Sequence, residues 1–220
     1  MNSVINEMPG PAVGVKARAP AHDAPITMLY VFPDLNRIVT SNITSASMTF
    51  IERGTPAGRG GGSGRGDAAE INWDETVIPV GRGAEGFDVS PDGTQIWAAN
   101  AQDGTISVID VASKKVIDTV AANVTSANRL KFTPDGKLAL VSSLRQPDLA
   151  IFDAGTRKEV RRVPIGRGAA GLEVQPDGTR AFVSCTPDDY VAIIDLASQT
   201  VAGKIDAGKQ PDGLAWAVRR

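Results

Sequence analysis

Residues 87–110 read FDVSPDGTQIWAANAQDGTISVID: an apolar start, a Pro-Asp-Gly turn, two uncharged runs and a closing aspartate. The pattern returns at 130–153, LKFTPDGKLALVSSLRQPDLAIFD, and at 172–195, LEVQPDGTRAFVSCTPDDYVAIID. A weaker copy at 29–52, LYVFPDLNRIVTSNITSASMTFIE, aligns without a gap. The turn prolines Pro91, Pro134 and Pro176 are 43 and 42 residues apart, and Pro33 precedes Pro91 by 58, one period plus a 16-residue insertion. A repeat of about 40–45 residues holding several strand-like runs is how a β-propeller blade is written in sequence.

Each repeat divides into four strands, here termed a to d from first to last. In the third copy a covers 171–174, b 180–185, c 190–195 and d about 200–205. Between a and b, proline presets φ near −65°, aspartate bonds back to the local backbone, and glycine takes a positive φ without steric cost. The first copy has Leu35 where the others have Gly93, Gly136 and Gly178, so its turn must differ in type or carry strain. The b and c runs (IWAAN, LALVSS and AFVSC; ISVI, LAIF and VAII) lack both charge and strict alternation. Both of their faces must be covered, as in a blade held between two neighbours. The d runs (KKVIDTV, RKEVRRVP, QTVAGKI) carry lysine and arginine, which discourage strand addition and mark the outer rim. Strand a, approached through glycine-rich loops, is then the inner one. Asp110, Asp153 and Asp195 close strand c and are read as Asx-type caps of the c–d turn.

These features, with the approaches VGRGAEG, IGRGAAG and AGKQPDG, resemble the YVTN-type β-propeller repeat over residues 27–217. The resemblance implies an exported, periplasmic or secreted propeller of seven blades, serving as a binding or scaffold domain. Lactonase-like enzymes and surface-layer proteins are among the related propellers. Four blades are countable, followed by one more a-like run at 213–217, GLAWA. The expected architecture is therefore an all-β array of four-stranded antiparallel blades, four plus one strand, belonging to a seven-bladed ring whose earlier blades lie upstream. A self-contained four-bladed ring is the alternative. Residues 1–26 are read as a tail with room for one remnant outer strand at 12–19, and 218–220 as a second tail. The insertion at 55–70, in the c–d connection of the first blade, is too rich in glycine and arginine to bury itself and is expected to be disordered. Its Arg65-Gly66-Asp67 tripeptide is read as a chance occurrence in such a composition.

Net charge is −2, which gives no basic field for nucleic acid, and no apolar run is long enough to span a bilayer. The N-terminus lacks the apolar core of a secretory signal, which is expected of a cytoplasmic protein or of one whose true start lies upstream. One histidine, His22, and one cysteine, Cys185, cannot build a His/Cys metal site or a haem ligand pair within the chain, and neither cofactor nor metal is expected. Catalytic residues are likewise not expected, since a nucleophilic triad would have to borrow His22 from the tail.

What remains is the mouth, the end where d–a and b–c loops meet. There the d–a loops place Arg82, Arg167 and Lys209 one residue after a glycine, and Arg129 stands where other repeats keep Gly86, Gly171 and Gly213. The b–c loops add Asp103, Arg145, Asp188, Asp189 and Tyr190. A basic ring of this kind suits a small anionic ligand or a carboxylate of a protein partner. The competing view is that these charges are solvated and bridged to Glu85 or Asp212. The functional expectation is a non-catalytic binding or scaffold module acting through the mouth. The alternatives are a lactonase-like hydrolase of a sugar-acid lactone and a surface-layer or adhesion protein.

Overall fold

The computed structural model describes residues 26–54 and 72–217. Residues 1–25 of the tail expected at 1–26, the insertion at 55–70 and residues 218–220 lie outside the described residues, and Ile26 opens the first strand. Four antiparallel four-stranded sheets follow one another. The first comprises β1 (Ile26–Val31), β2 (Arg37–Asn42), β3 (Ser47–Arg53) and β4 (Trp73–Pro79). The second holds β5 (Ala84–Val89), β6 (Gln95–Asn100), β7 (Thr105–Asp110) and β8 (Lys115–Val120). The third runs β9 (Ala127–Phe132), β10 (Leu138–Ser143), β11 (Asp148–Asp153) and β12 (Lys158–Pro164). The fourth is β13 (Ala169–Val174), β14 (Arg180–Cys185), β15 (Tyr190–Asp195) and β16 (Thr200–Asp206), with a single 3-10 turn at Thr186–Asp188. The first strands of successive blades pack side by side, β1 on β5, β5 on β9 and β9 on β13, which makes them the inner edge. This is a β-propeller array.

The turns form as their residues dictate. The amides of Gly93, Gly136 and Gly178 donate to Ser90, Thr133 and Gln175 carbonyls at 2.7, 2.8 and 2.8 Å. Asp92, Asp135 and Asp177 each accept the amide two residues on, at 3.0, 3.1 and 2.9 Å. The three glycines have φ of 72, 70 and 73°. Leu35 has φ 56° and its amide bonds Phe32 at 2.9 Å, so the first blade keeps the same turn and carries the strain. A Cβ at Gly93 would meet nothing, and at Gly136 or Gly178 its nearest neighbour would be 3.6 Å away. The penalty at these sites is thus conformational. Gly93→Val, Gly136→Val and Gly178→Val should each lose roughly 1–3 kcal/mol. Leu35→Gly should instead gain roughly 0.5–1 kcal/mol, the relief of left-handed strain exceeding the added backbone entropy. Urea denaturation checks both, and a loss at Leu35→Gly would contradict the shared turn geometry.

The aspartates closing strand c cap the c–d turn as expected. Asp110, Asp153 and Asp195 accept the amides of Ser113, Thr156 and Ser198 at 2.7, 2.7 and 2.8 Å. Glu52 stands there in blade 1 and pairs with Lys114 of blade 2. The rim strands share a further trait. One residue drops out of register at Ile117 in β8, Val160 in β12 and Ala202 in β16, a bulge at the same place in three blades, while β4 pairs regularly throughout.

No blade has a core of its own. Val39 and Phe50 of blade 1 pack with Phe87 and Val89 of blade 2. Trp97 and Val108 meet Leu130 and Phe132. Leu140 and Ile151 meet Leu172 and Val174. Burial on both faces is why b and c lack alternation. One expectation fails: residues 213–217 form no strand. A strand exists only when its backbone is paired, and among the described residues no fifth b strand lies beside this segment. It rests instead against blade 4, with Pro211 O accepting from Thr186 Oγ1 at 2.7 Å and the Trp216 ring tilted 39° to that of Phe182 with centroids 6.1 Å apart.

Candidate functional site

The d–a and b–c loops meet at one end, and hydrogen bonds join them. The Arg82 amide and Nε both donate to Asp103, at 2.7 and 2.7 Å. Arg167 repeats the arrangement on Asp188, with amide and Nε at 2.7 and 2.8 Å. Lys209 Nζ reaches Asp189 at 3.0 Å, and the Gln210 amide donates to the same carboxylate at 2.9 Å. The partners are therefore b–c loop aspartates, and the bridges envisaged to Glu85 or Asp212 are not made by these three cations. Sequence distance hid this pairing: the partner lies in the loop two strands on for Arg82 and Arg167 and two strands back for Lys209, and the shared carboxylate clips the two loops together. In blade 3, Thr125 and Gln146 occupy the arginine and aspartate positions. There the loops are joined by Ser143 Oγ donating to Thr125 O at 2.7 Å and Gln146 Nε2 to Asn123 O at 3.0 Å. Arg145 is exposed beside them.

Tyr190 does not present its hydroxyl to the mouth. It donates to Ile165 O at 2.7 Å, and Lys204 Nζ stands 3.9 Å over its ring. Arg129 sits further in, on β9, its Nη1 donating to Asn128 O at 2.9 Å and Asn128 Oδ1 at 3.1 Å. The Asn128 amide in turn donates to Ala170 O of the next blade at 2.6 Å.

A second set of polar groups, absent from the sequence expectation, lines the inner strands. Tyr30, Asp88, Lys131 and Glu173 each lie three residues before a turn proline, one per blade. That spacing was the available signal: a polar residue recurring inside an otherwise apolar strand. Asp88 Oδ2 accepts the Phe132 amide across the blade junction at 2.9 Å, and Oδ1 accepts the Val89 amide at 3.0 Å. Burial raises the Asp88 carboxyl above the usual range, opposed by Lys131 and by the two amides. Burial also raises Glu173 and Glu85, tempered by Lys131 and Arg129 respectively. At the mouth the direction is opposite. The amide of its paired arginine lowers Asp103 and Asp188 first, and that arginine's side chain lowers them further.

The two sets should therefore titrate apart. Asp103 and Asp188 have folded values below the unfolded ones. Their contribution is present above the unfolded pKa and disappears as pH falls through the folded one. Asp88 and Glu173 have folded values above the unfolded ones, so within that window stability rises as pH falls. Carboxyl-carbon NMR should order Asp103 and Asp188 below the ordinary carboxylate range and Asp88 and Glu173 above it. The reverse order would contradict the placement of the inner carboxyls.

Among the described residues no three His, Cys, Asp or Glu side chains are grouped to hold a metal ion, and no helix is long and apolar enough to cross a membrane. Cys185 is buried, with Ile165 O 3.4 Å from its sulfur. On the opposite end, a depression between blades 3 and 4 is lined by turn residues, among them Asp135, Thr179 and Asp195.

No family model matches the chain. Antigen Lp49 of Leptospira interrogans is 23% identical over 150 residues, 59% of this chain and 33% of the antigen. Hydrazine synthase of Kuenenia stuttgartiensis superposes with a TM-score of 0.68 at 22% identity, over 86% of this chain and 51% of that one. A candidate 6-phosphogluconolactonase of Bacteroides fragilis gives 0.68 at 19% identity, over 86% and 56%. The chain thus spans a third of the antigen and little more than half of these two solved chains. Likeness at these identities establishes the β-propeller fold.

Proposed function

We propose that this chain is a non-catalytic binding module of the YVTN-repeat kind, which holds an anionic group on Arg129 and Lys131 of the inner strand β9, inward of the mouth loops. One observation carries the reading. Arg82, Arg167 and Lys209 each have a carboxylate at hydrogen-bond distance, whereas Arg129 and Lys131 have none within 4.0 Å among the described residues. A half-buried cation without a close counter-ion favours an incoming anion more than an exposed, already paired one. Glu85, Asp88 and Glu173 alongside would accept from hydroxyl or ammonium groups of the same ligand. The chemistry that fits is an anionic group beside hydrogen-bond donors, as in a phosphorylated sugar or an amino acid side chain of a protein partner.

Calorimetric titration against phosphorylated sugars and dicarboxylates tests this. Saturable binding should vanish in Arg129→Glu/Lys131→Glu and fall less in Arg82→Glu/Arg167→Glu, whose charges are already countered. Absence of binding across the panel would leave a scaffold whose partner is another protein. A second reading, hydrolysis of a sugar-acid lactone, draws on the inner carboxyls held above their usual range and on the similarity to a candidate lactonase. Turnover of 6-phosphogluconolactone above the spontaneous rate, lost in Glu173→Gln, would favour it. Export to the periplasm or cell surface accompanies the repeat resemblance and the likeness to an antigen, and cell fractionation checks it.

A further inference from the structure

Arg129 is the one cation at its position of strand a: the other described blades have Met28, Gly86 and Gly171 there. Its guanidinium is tied at one corner. Nη1 donates to Asn128 O and Asn128 Oδ1 at 2.9 and 3.1 Å, so both of its hydrogens have acceptors. Nε–H and the Nη2 hydrogens have none among the described residues. Nε–H and one Nη2–H lie parallel, and that edge takes two oxygens of a carboxylate or phosphate at once. Asn128 is itself held. It is 5% exposed, and its Nδ2 donates to Ala170 O of the next blade at 2.6 Å. With a carbonyl on one side and a guanidinium on the other, only one orientation of the amide satisfies both.

The bond from Asn128 to Ala170 is not what joining two blades requires. Between blades 1 and 2 the carbonyl at the same place, Glu85 O, accepts from Ser41 Oγ at 2.9 Å. Blade 3 has a serine at that position too, yet the Ser142 hydroxyl is buried and has no partner among the described residues. Asn128 occupies the carbonyl that the pattern of blades 1 and 2 assigns to Ser142. Leaving a buried hydroxyl unbonded is unfavourable, and what accompanies it here is a guanidinium fixed in one orientation. We infer that Asn128 is a positioning residue for the anion site, an inference that rests on the reading of Arg129 given above. It ties down Nη1 and leaves the Nε–Nη2 edge for the ligand. The ligand class narrows to oxyanions that offer two oxygens together, carboxylates and phosphates, over single-atom anions. Lys131 adds charge without direction.

NMR titration of the nitrogen-15-labelled chain with phosphate, succinate or iodide at constant ionic strength, read at the Arg129 side-chain signals, tests this. Hindered rotation should keep the Nη1 and Nη2 signals apart in the wild type and merge them in Asn128→Ala. Phosphate and succinate should shift Nε–H and Nη2–H, leave Nη1–H nearly in place and bind more tightly than iodide. Asn128→Ala should weaken both oxyanions roughly tenfold, as the loss of one charge-assisted hydrogen bond does, and barely change iodide. Its circular dichroism should persist, because Ser142 can take over Ala170 O. Should it fail to fold, Arg129→Lys keeps the charge without the fork and should bind the three anions alike. Ser142→Ala should leave all three affinities unchanged. Wild-type oxyanion affinity in Asn128→Ala, an Nη1–H that moves with Nε–H, or an oxyanion preference retained in Arg129→Lys overturns the positioning role and leaves Arg129 as the anion site. So does a loss in Ser142→Ala equal to that in Asn128→Ala, which would mean that Asn128 serves the junction. Wild-type binding of phosphate and succinate in Arg129→Ala, or no shift of any Arg129 signal with either, overturns the anion site and the inference together.

Discussion

Gly86→Val should destabilise the array by about 3 kcal/mol or more, the largest loss expected from any single glycine outside the turns. A Cβ at Gly86 would lie 2.7 Å from Arg129 Cα and 2.7 Å from Asn128 O. Both are backbone atoms of an interior strand, which cannot swing aside as a side chain would. β5 and β9 would have to separate, loosening Phe87 against its neighbours and stretching the bond from the Phe132 amide to Asp88. Gly171→Val also meets backbone, at Asp212, but that segment is in no strand and is held by few bonds, so the loss should be smaller. Gly93→Ala, with open space around it, should lose only about 1 kcal/mol for its positive φ. Urea unfolding of the three variants checks the order. Equal losses at Gly86 and Gly93 would mean that the inner strands do not approach as described.

Trp97→Ala should remove about 3–5 kcal/mol. The indole is fully buried, packs edge-on against Phe132 with centroids 5.4 Å apart, and donates from Nε1 to Gln95 Oε1 at 3.1 Å. Its truncation opens a cavity at the middle junction, bounded by strands of two blades that cannot both collapse inward without disturbing the junctions on either side. Trp97→Phe should recover most of that loss, since the hydrogen bond it forfeits ends on a side chain near the surface. Thermal and urea midpoints measure both, and a Trp97→Ala loss below about 1 kcal/mol would be incompatible with a packed junction.

The fold was legible because its repeats spell it out in turn chemistry. Pro91-Asp92-Gly93 and its copies fix where strands end, and the absence of charge from b and c demands neighbours on both faces. That Arg82, Arg167 and Lys209 share one end follows from strand parity, which the order of the runs gives. Their partners were not legible, since Asp103 and Asp188 pair through loop geometry with no periodic sign. Tyr30, Asp88, Lys131 and Glu173 went unseen for a different reason: four dissimilar residues at one repeat position show up only when position, rather than residue type, is followed. Leu35 was recognised as exceptional, but only the backbone tells strain from a change of turn type. Residues 213–217 misled because the pattern of a strand is local while its existence depends on a partner elsewhere.

Because each core straddles two blades, the cooperative unit here is the junction. Four blades make three such units. In the language of a one-dimensional lattice, a lone blade has no coupling energy, and each blade added to an end contributes one nearest-neighbour term. Opening should then spread inward from whichever end is bare, and the amides of β6, β7, β10 and β11 should exchange last. A gene that lengthens by duplicating one blade inherits a ready-made junction on each side of the insertion, so growth by whole blades is tolerated where growth by a single strand is not.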